Sequence, residues 1–130
     1  MTLPDLDDLR YGEGIYSDPV QVTELARQLN NANSRGVANS LIVKTSPGLL
    51  FGITVSSVTS QFILVFDATA VPAETTVPLI SFDIAATSTK GIAWVPVPRG
   101  FSNGIVVCNS STQHTKTIGT ANCIFDCQFV

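Results

Sequence analysis

The sequence predicts an all-β fold, an antiparallel β-sandwich or jelly roll, for most of the chain. Short runs of β-branched and aromatic residues recur from residue 41 onward, and clusters of Gly, Pro, Asn, Asp, Ser and Thr separate them. Most of these runs also alternate apolar with polar positions. Such a series of short alternating strands is typical of a sandwich in which each sheet keeps one face towards water.

Seven strands are expected, at residues 41–45, 49–55, 62–66, 78–84, 91–97, 104–108 and 122–130. Alternation places Leu49, Phe51, Ile53 and Val55 on one face of the second run. The third run is apolar throughout, as expected for a central strand that is covered on both sides. The predicted core comprises Phe51, Ile53, Phe62, Phe66, Phe82 and Phe125.

An extended arm and one short helix are predicted before the sandwich. Residues 1–17 show no periodicity, which favours an arm. Asp18 is a good helix N-cap and Pro19 suits the first helical position, so a helix is expected over residues 18–31. A helix of that length is marginal in water and needs a surface to pack on, in its own domain or on another protein.

The chain therefore divides into two predicted regions. Residues 30–39 are rich in turn formers and are interpreted as a linker. On this basis residues 1–40 form the arm, helix and linker, and residues 41–130 form a single β-sandwich domain.

The composition favours a protein that is packed in an assembly. Charged residues make up only 13% of the chain, about half the usual share. Hydroxyls and amides are cheaper to desolvate than unpaired charges, so this surface suits burial against other subunits. A soluble sandwich with a neutral surface is the alternative interpretation.

The distribution of charge argues against nucleic-acid and membrane partners. Residues 1–18 contain five acidic and one basic side chain, a net charge of −4, so residues 19–130 sum to about +1 in a chain of net charge −3. No basic stripe is present to follow a phosphate backbone. No apolar run approaches the roughly 18–20 residues of a membrane span, and no signal peptide is visible, so folding in a cytoplasm is expected.

The three cysteines are expected to be reduced, buried thiols. Cys123 and Cys127 would lie on one face of the last strand, about 13 Å apart, which is beyond disulfide reach. Cys108 faces one of them only if the last two strands pair in register. A metal site is disfavoured because the single histidine, His114, lies in a polar loop.

No catalytic residue, metal site or cofactor is predicted, and the protein is not expected to be an enzyme. Asp67, Glu74, Asp83 and Asp126 are isolated, and Asp67 is expected to hydrogen-bond the backbone that follows it in a turn. Trp94 lies in an alternating run and is expected to be a core residue, with a role as an exposed binding aromatic as the alternative.

Four stretches carry a resemblance to a known group of proteins. Residues 47–56 (PGLLFGITVS), 63–72 (ILVFDATAVP), 77–84 (VPLISFDI) and 100–111 (GFSNGIVVCNSS) resemble small β-sandwich virion proteins of tailed bacteriophages. The resemblance covers about residues 41–130 and its motifs are structural. It implies a head decoration, cement or fibre protein that is usually oligomeric, with no catalytic residues to carry over.

The leading hypothesis is a capsid decoration or cement protein on the outer surface of the virion, assembled in the host cytoplasm. Its expected partners are the major capsid protein or another virion protein, and sister subunits in a homo-oligomer, a trimer rather than a dimer. The arm and helix are expected to make these contacts, because an extended segment that orders on docking covers a large area. The predicted contact residues are Leu3, Leu6, Leu9, Tyr11, Tyr16, Val22, Leu25 and Leu29.

The alternative is a host-recognition or carbohydrate-binding module on a tail fibre or baseplate. It would use two long loops, residues 67–76 and 109–120, and Trp94 as a stacking platform. The scarcity of aromatic residues in these loops argues against it.

Overall fold

The computed structural model describes residues 29–130, which form two antiparallel β-sheets packed face to face. The nine strands are β1 (Asn30–Asn33), β2 (Ser40–Lys44), β3 (Gly48–Ser57), β4 (Gln61–Phe66), β5 (Ile80–Ile84), β6 (Ser88–Ala93), β7 (Arg99–Phe101), β8 (Ile105–Ser110) and β9 (Cys123–Phe129). No helix occurs among these 102 residues.

The strand order is that of a jelly roll. The first sheet has the order β1-β9-β3-β6, with the short β7 also paired to β3, and the second sheet has the order β2-β8-β4-β5. Apart from β7, four strands lie in each sheet and the chain crosses repeatedly between them, as two Greek keys require. The predicted antiparallel β-sandwich is confirmed.

The main core fills the space between the sheets. Phe125, Leu50, Ile53 and Ile63 are among its largest fully buried side chains. Four of the six predicted core residues are buried, namely Ile53, Phe66, Phe82 and Phe125. Phe51 and Phe62 are only half-buried, which corrects the prediction for these two residues.

A β-bulge explains the position of Phe51. On β3, Leu50 lies opposite Phe129 and Gly52 lies opposite Gln128, so Phe51 is an extra residue in this strand. The extra residue shifts the alternation by one position, and Leu50 rather than Leu49 or Phe51 enters the core. The predicted face is therefore correct after the bulge and wrong before it.

Strand β4 is covered on both faces, as its sequence predicts. Ile63 and Val65 point into the main core, whereas Leu64 and Phe66 belong to a second apolar cluster on the outer face of the second sheet. Val106 and Cys108 of β8 complete this outer cluster, with Phe62 and Ala68 packed against it. Phe66 is thus buried, but outside the inter-sheet core.

The sandwich includes residues that the sequence assigns to a linker and a helix. Asn30–Asn33 form β1, so the linker prediction is wrong there and the predicted helix cannot include Asn30 and Asn31. Ala32 packs against the main core, and the Ser34 amide donates to Phe125 O at 3.0 Å. The remainder of the predicted arm and helix lies outside the described residues.

Strand β6 ends earlier than predicted. It stops at Ala93, although the Trp94 amide still donates to Phe51 O at 2.8 Å. Pro96 and Pro98 follow, and a proline has no N–H with which to continue a strand ladder. The chain then rejoins β3 through β7, which the sequence pattern does not reveal.

Candidate functional site

Two long loops of the second sheet, one after β4 and one after β8, meet each other. The amide of Thr75 donates to Lys116 O at 2.8 Å, and the amide of Lys116 donates to Thr76 O at 2.9 Å. The Lys116 ammonium forms an ion pair with Glu74, which also accepts from the Ile118 amide at 2.9 Å. These segments, residues 67–79 and 111–118, are called the loop pair below. They overlap the two loops predicted from the sequence, residues 67–76 and 109–120, and the structure joins them through these hydrogen bonds.

The ion pair of the loop pair lies close to the outer cluster. Lys116 is only 4% exposed, whereas the Glu74 side chain is half exposed. The hydrogen bond from Lys116, followed by that from Ile118, lowers the pKa of Glu74. Burial raises the pKa of the Cys108 thiol to about 11, and the charges of Lys116 and Glu74 act on it in opposite directions. A β-bridge between Ile118 and Ser110 joins the loop that contains Lys116 to the end of β8, the strand that carries Cys108.

Asp67 fixes a turn that is distant in sequence. Its carboxylate accepts from the amides of Asn103 at 2.8 Å and of Ser102 and Gly104 at 3.3 Å, and from Ser102 Oγ at 2.9 Å. The hydrogen bond from Asn103 is the largest contribution to its lowered pKa. A Cβ at Gly104 would lie 2.4 Å from Ala68 O, so this close approach requires glycine. The prediction that Asp67 bonds the backbone directly after it is wrong.

The other two described carboxylates also have intramolecular partners. Asp83 forms an exposed ion pair with Lys90 at 3.1 Å, and this hydrogen bond lowers its pKa. Asp126 accepts from Asn31 at 2.8 Å, from Asn33 at 3.0 Å and from Gln128 at 2.9 Å. Burial raises the pKa of Asp126, but these amide donors together lower it below its usual value.

The three cysteines are free and buried, as predicted. Cys123 and Cys127 point into the main core, whereas Cys108 lies in the outer cluster of the other sheet. Burial, followed by the nearby charge of Asp126, raises the pKa of Cys127 to about 12. The thiols of Cys108 and Cys127 are therefore protonated at neutral pH and are poor nucleophiles.

An apolar edge borders the first sheet where β6 gives way to β7. Trp94, which the sequence predicts to be a core residue, packs against the main core but is only half-buried. The next residues stand out from the sheet, with Val95 68% and Val97 74% exposed, and Leu49 of β3 is also exposed. Residues 94–98 together with Leu49 are called the proline edge below. His114 lies exposed in the loop that follows β8.

The predicted contact residues are almost entirely beyond what the structure describes. Only Leu29 falls within it, half-buried directly before β1. Leu3, Leu6, Leu9, Tyr11, Tyr16, Val22 and Leu25 lie outside the described residues, so the hypothesis of an arm-borne contact site remains a prediction.

A buried polar network was not predicted from the sequence. The Gln61 amide nitrogen donates to Ser57 Oγ and Asn122 Oδ1, both at 2.8 Å, and contacts Cys123 Sγ at 3.0 Å. Asn109 Nδ2 donates to Thr120 O at 2.7 Å. The network joins β3 and β9 of one sheet to β4 and β8 of the other. The only sign of this network in the sequence is Gln61, a polar residue at the start of the apolar run of β4.

No family model, curated protein or solved structure matches this chain. Residues 29–130 contain no helix that is long and apolar enough to cross a membrane. In the same part of the chain, no three His, Cys, Asp or Glu side chains are grouped so that they could hold a metal ion.

Proposed function

We propose that this chain is a structural protein of a bacteriophage particle, of the decoration or cement type, that docks on the outside of the head. A jelly roll by itself does not select a function, because the same architecture serves many. The surface of the sandwich is the observation that carries the proposal. Twelve large aliphatic side chains are exposed among the described residues.

The electrostatics of that surface support the same proposal. All four side-chain carboxylates of residues 29–130 accept hydrogen bonds from donors within the chain, as described above. Docking a surface whose carboxylates already accept hydrogen bonds leaves fewer of these acceptors without a donor than docking an ordinary surface does. Once the protein is attached, exposed apolar side chains such as those of the proline edge are available for secondary contacts with neighbouring subunits, in addition to the attachment itself.

Attachment is proposed to lie in residues 1–28, together with the homo-oligomeric association suggested by the sequence. These residues contain seven of the eight predicted contact residues and six acidic side chains. Several copies placed around a symmetry axis would add avidity to each individual contact.

The experiment is quantitative mass spectrometry of purified particles, followed by a deletion. On the order of hundreds of copies per particle is expected for a head protein that repeats with capsid symmetry. Deleting residues 1–28 keeps β1 and should leave a folded sandwich that no longer binds particles. A matched Val95→Asp variant of the full chain should retain binding if the arm alone makes the attachment. Absence of the protein from particles would refute the structural role, and full occupancy by the truncated chain would place attachment in the sandwich.

The second candidate is a tail-fibre or baseplate module for host recognition. The loop pair favours it, because two surface segments held by mutual hydrogen bonds form a preorganised contact surface with Val71 and Val77 exposed. A copy number of a few dozen or fewer would favour this candidate over a head location.

A further inference from the structure

The turn between β7 and β8 contains a dipeptide that is prone to asparagine deamidation. Asn103 is the only one of the seven asparagines in the chain that precedes a glycine. In this reaction the backbone nitrogen of the following residue attacks the side-chain amide carbon, and glycine hinders the approach least because it has no Cβ. Asn103 is exposed, so water reaches its side chain. Asn103–Gly104 is therefore the dipeptide at which deamidation is expected first.

The reaction proceeds in two steps. The Gly104 nitrogen loses its proton and forms a bond to Cγ of Asn103, while the bond from Cγ to the side-chain nitrogen breaks and ammonia leaves with that proton. Water then opens the resulting succinimide at one of its two carbonyl carbons. The product at position 103 is aspartate or isoaspartate, and isoaspartate adds one methylene group to the backbone.

The Asp67 carboxylate binds the nucleophile of this reaction. Its Oδ1 accepts from the Gly104 amide at 3.3 Å and from the Asn103 amide at 2.8 Å. To attack, the Gly104 nitrogen must lose the proton that it donates to this oxygen, and the negative charge that develops there would face a carboxylate. The pKa of Asp67 is lowered, so its carboxylate is a weak base and is poorly suited to take the proton itself.

The packing of the turn opposes the same step. Gly104 is buried, and a Cβ at this position would lie 2.4 Å from Ala68 O and 2.7 Å from Lys44 O. The backbone therefore has little room to turn the nitrogen towards the preceding side chain while the turn stays closed. Ser102 adds two further hydrogen bonds, since its amide and its hydroxyl donate to Asp67 Oδ2 at 3.3 and 2.9 Å. Opening the turn breaks four hydrogen bonds to one carboxylate.

We propose that Asn103 is a deamidation site of this protein and that the Asp67 carboxylate slows the reaction in the folded state. Asp67 acts on the backbone nitrogen that attacks, and it keeps the turn closed around that nitrogen. Either product adds a negative charge to the turn that Asp67 closes, and isoaspartate also lengthens its backbone, so modification weakens the closed turn. The inference is independent of how the protein attaches to a particle.

The test follows deamidation of the full chain at mildly alkaline pH by peptide mass mapping, which assigns each gain in mass to one asparagine. In the native chain, Asn103 should react at least about ten-fold more slowly than in the chain unfolded in urea, because one hydrogen bond to a charged group is worth about that factor. Asp67→Ala should raise the rate at Asn103 in the folded protein by at least about ten-fold, for the same reason.

Two control variants separate this effect from a general loss of stability. Asp83→Asn alters another carboxylate that accepts a hydrogen bond, and Phe51→Ala removes a half-buried ring outside the turn. Both variants should keep the native rate at Asn103. If Asp67→Ala proves unfolded by its melting curve, Asp67→Asn replaces it. This variant should also react faster than the native chain, because a neutral amide oxygen is a weaker acceptor than a carboxylate.

Three results would overturn the inference. One is a rate at Asn103 in the native chain that equals the rate in the unfolded chain. Another is an unchanged or lower rate in the folded Asp67 variants, and a lower rate would indicate that the carboxylate acts as a general base. The third is an equal acceleration in Asp83→Asn or Phe51→Ala, which would assign the effect to stability instead of the contact with Asp67.

Discussion

Phe125 occupies the main core with no exposed surface, between strands of both sheets. Phe125→Ala should lower the free energy of unfolding by about 3–5 kcal/mol, because the transfer free energy of the ring is lost and a cavity remains. Urea denaturation followed by tryptophan fluorescence measures this. Phe51→Ala is the matched control at the bulge and should cost clearly less, since Phe51 is only half-buried. Equal losses for the two variants would contradict the assignment of faces on β3.

Asp67 should make the stability of the sandwich depend on pH in the acidic range. Its pKa is lowered in the folded state, first by the Asn103 amide, so its stabilising contribution is present above about pH 4 and is lost as the pH falls through the lowered value. Asp67→Asn should destabilise the protein by about 1–3 kcal/mol at pH 7, because an ionised acceptor of several hydrogen bonds is replaced by a neutral amide. Melting temperatures of the two proteins should converge below pH 4. A constant difference down to pH 2 would show that the charge of Asp67 is not involved.

Cys108 and Cys127 should make the protein sensitive to alkali. Their pKa values are raised from 9.0 to about 11 and about 12, so the folded state retains these protons more strongly than the unfolded state. The stabilisation is complete below about pH 9 and is lost as the pH rises towards 11 and 12. Between pH 9 and 11 the double variant Cys108→Ala/Cys127→Ala should lose less stability than the native chain, as measured by urea denaturation. Val106→Ala, which opens a cavity without removing a thiol, should keep the native alkaline slope.

At the scale of elements, the loop pair depends on an asymmetric ion pair. Lys116 is buried and Glu74 is not, so removing Glu74 leaves a buried ammonium without its partner, whereas removing Lys116 leaves a carboxylate that water can solvate. Glu74→Ala should therefore lower the melting temperature more than Lys116→Met does. The double variant should resemble Lys116→Met. The reverse order in differential scanning calorimetry would show that the ion pair does not hold the loops.

Sequence patterns identify a strand when the pattern of apolar residues within that strand alone determines how it is buried. The continuous apolar run of β4 predicts a central strand, and the structure places it between β8 and β5 with both faces covered. The bulge at Phe51 cannot be predicted in this way, because it is defined by the register between β3 and Phe129 of β9, far along the chain. Strand β1 was missed for a related reason, since its asparagines favour turns locally and only pairing with β9 makes them a strand.

The candidate sites also combine features that one segment determines with features that arise only from contacts between distant segments. The loops were predicted to be contact regions from their length and composition, but their union through Lys116 depends on a meeting of segments some 40 residues apart. The buried polar network was not predicted, because Gln61, Asn109 and Asn122 carry no common motif. Only the packing of the two sheets brings these three side chains together.

At the scale of the whole molecule, β9 lies between β1 and β3 in the first sheet, although it is the last of the nine strands in sequence. The chain is synthesised from its N-terminus, so β1 and β3 leave the ribosome long before β9, the strand that lies between them in the sheet. During synthesis both of these strands present unpaired backbone groups, and the core lacks the side chains of Cys123, Phe125 and Cys127. Folding must therefore wait for residues 123–129, and its rate is limited by closure of a loop that spans nearly the whole described chain. Until then, β9 of another copy that has not yet folded can pair in the gap, so we expect strand exchange between copies to be the main misfolding hazard of this topology.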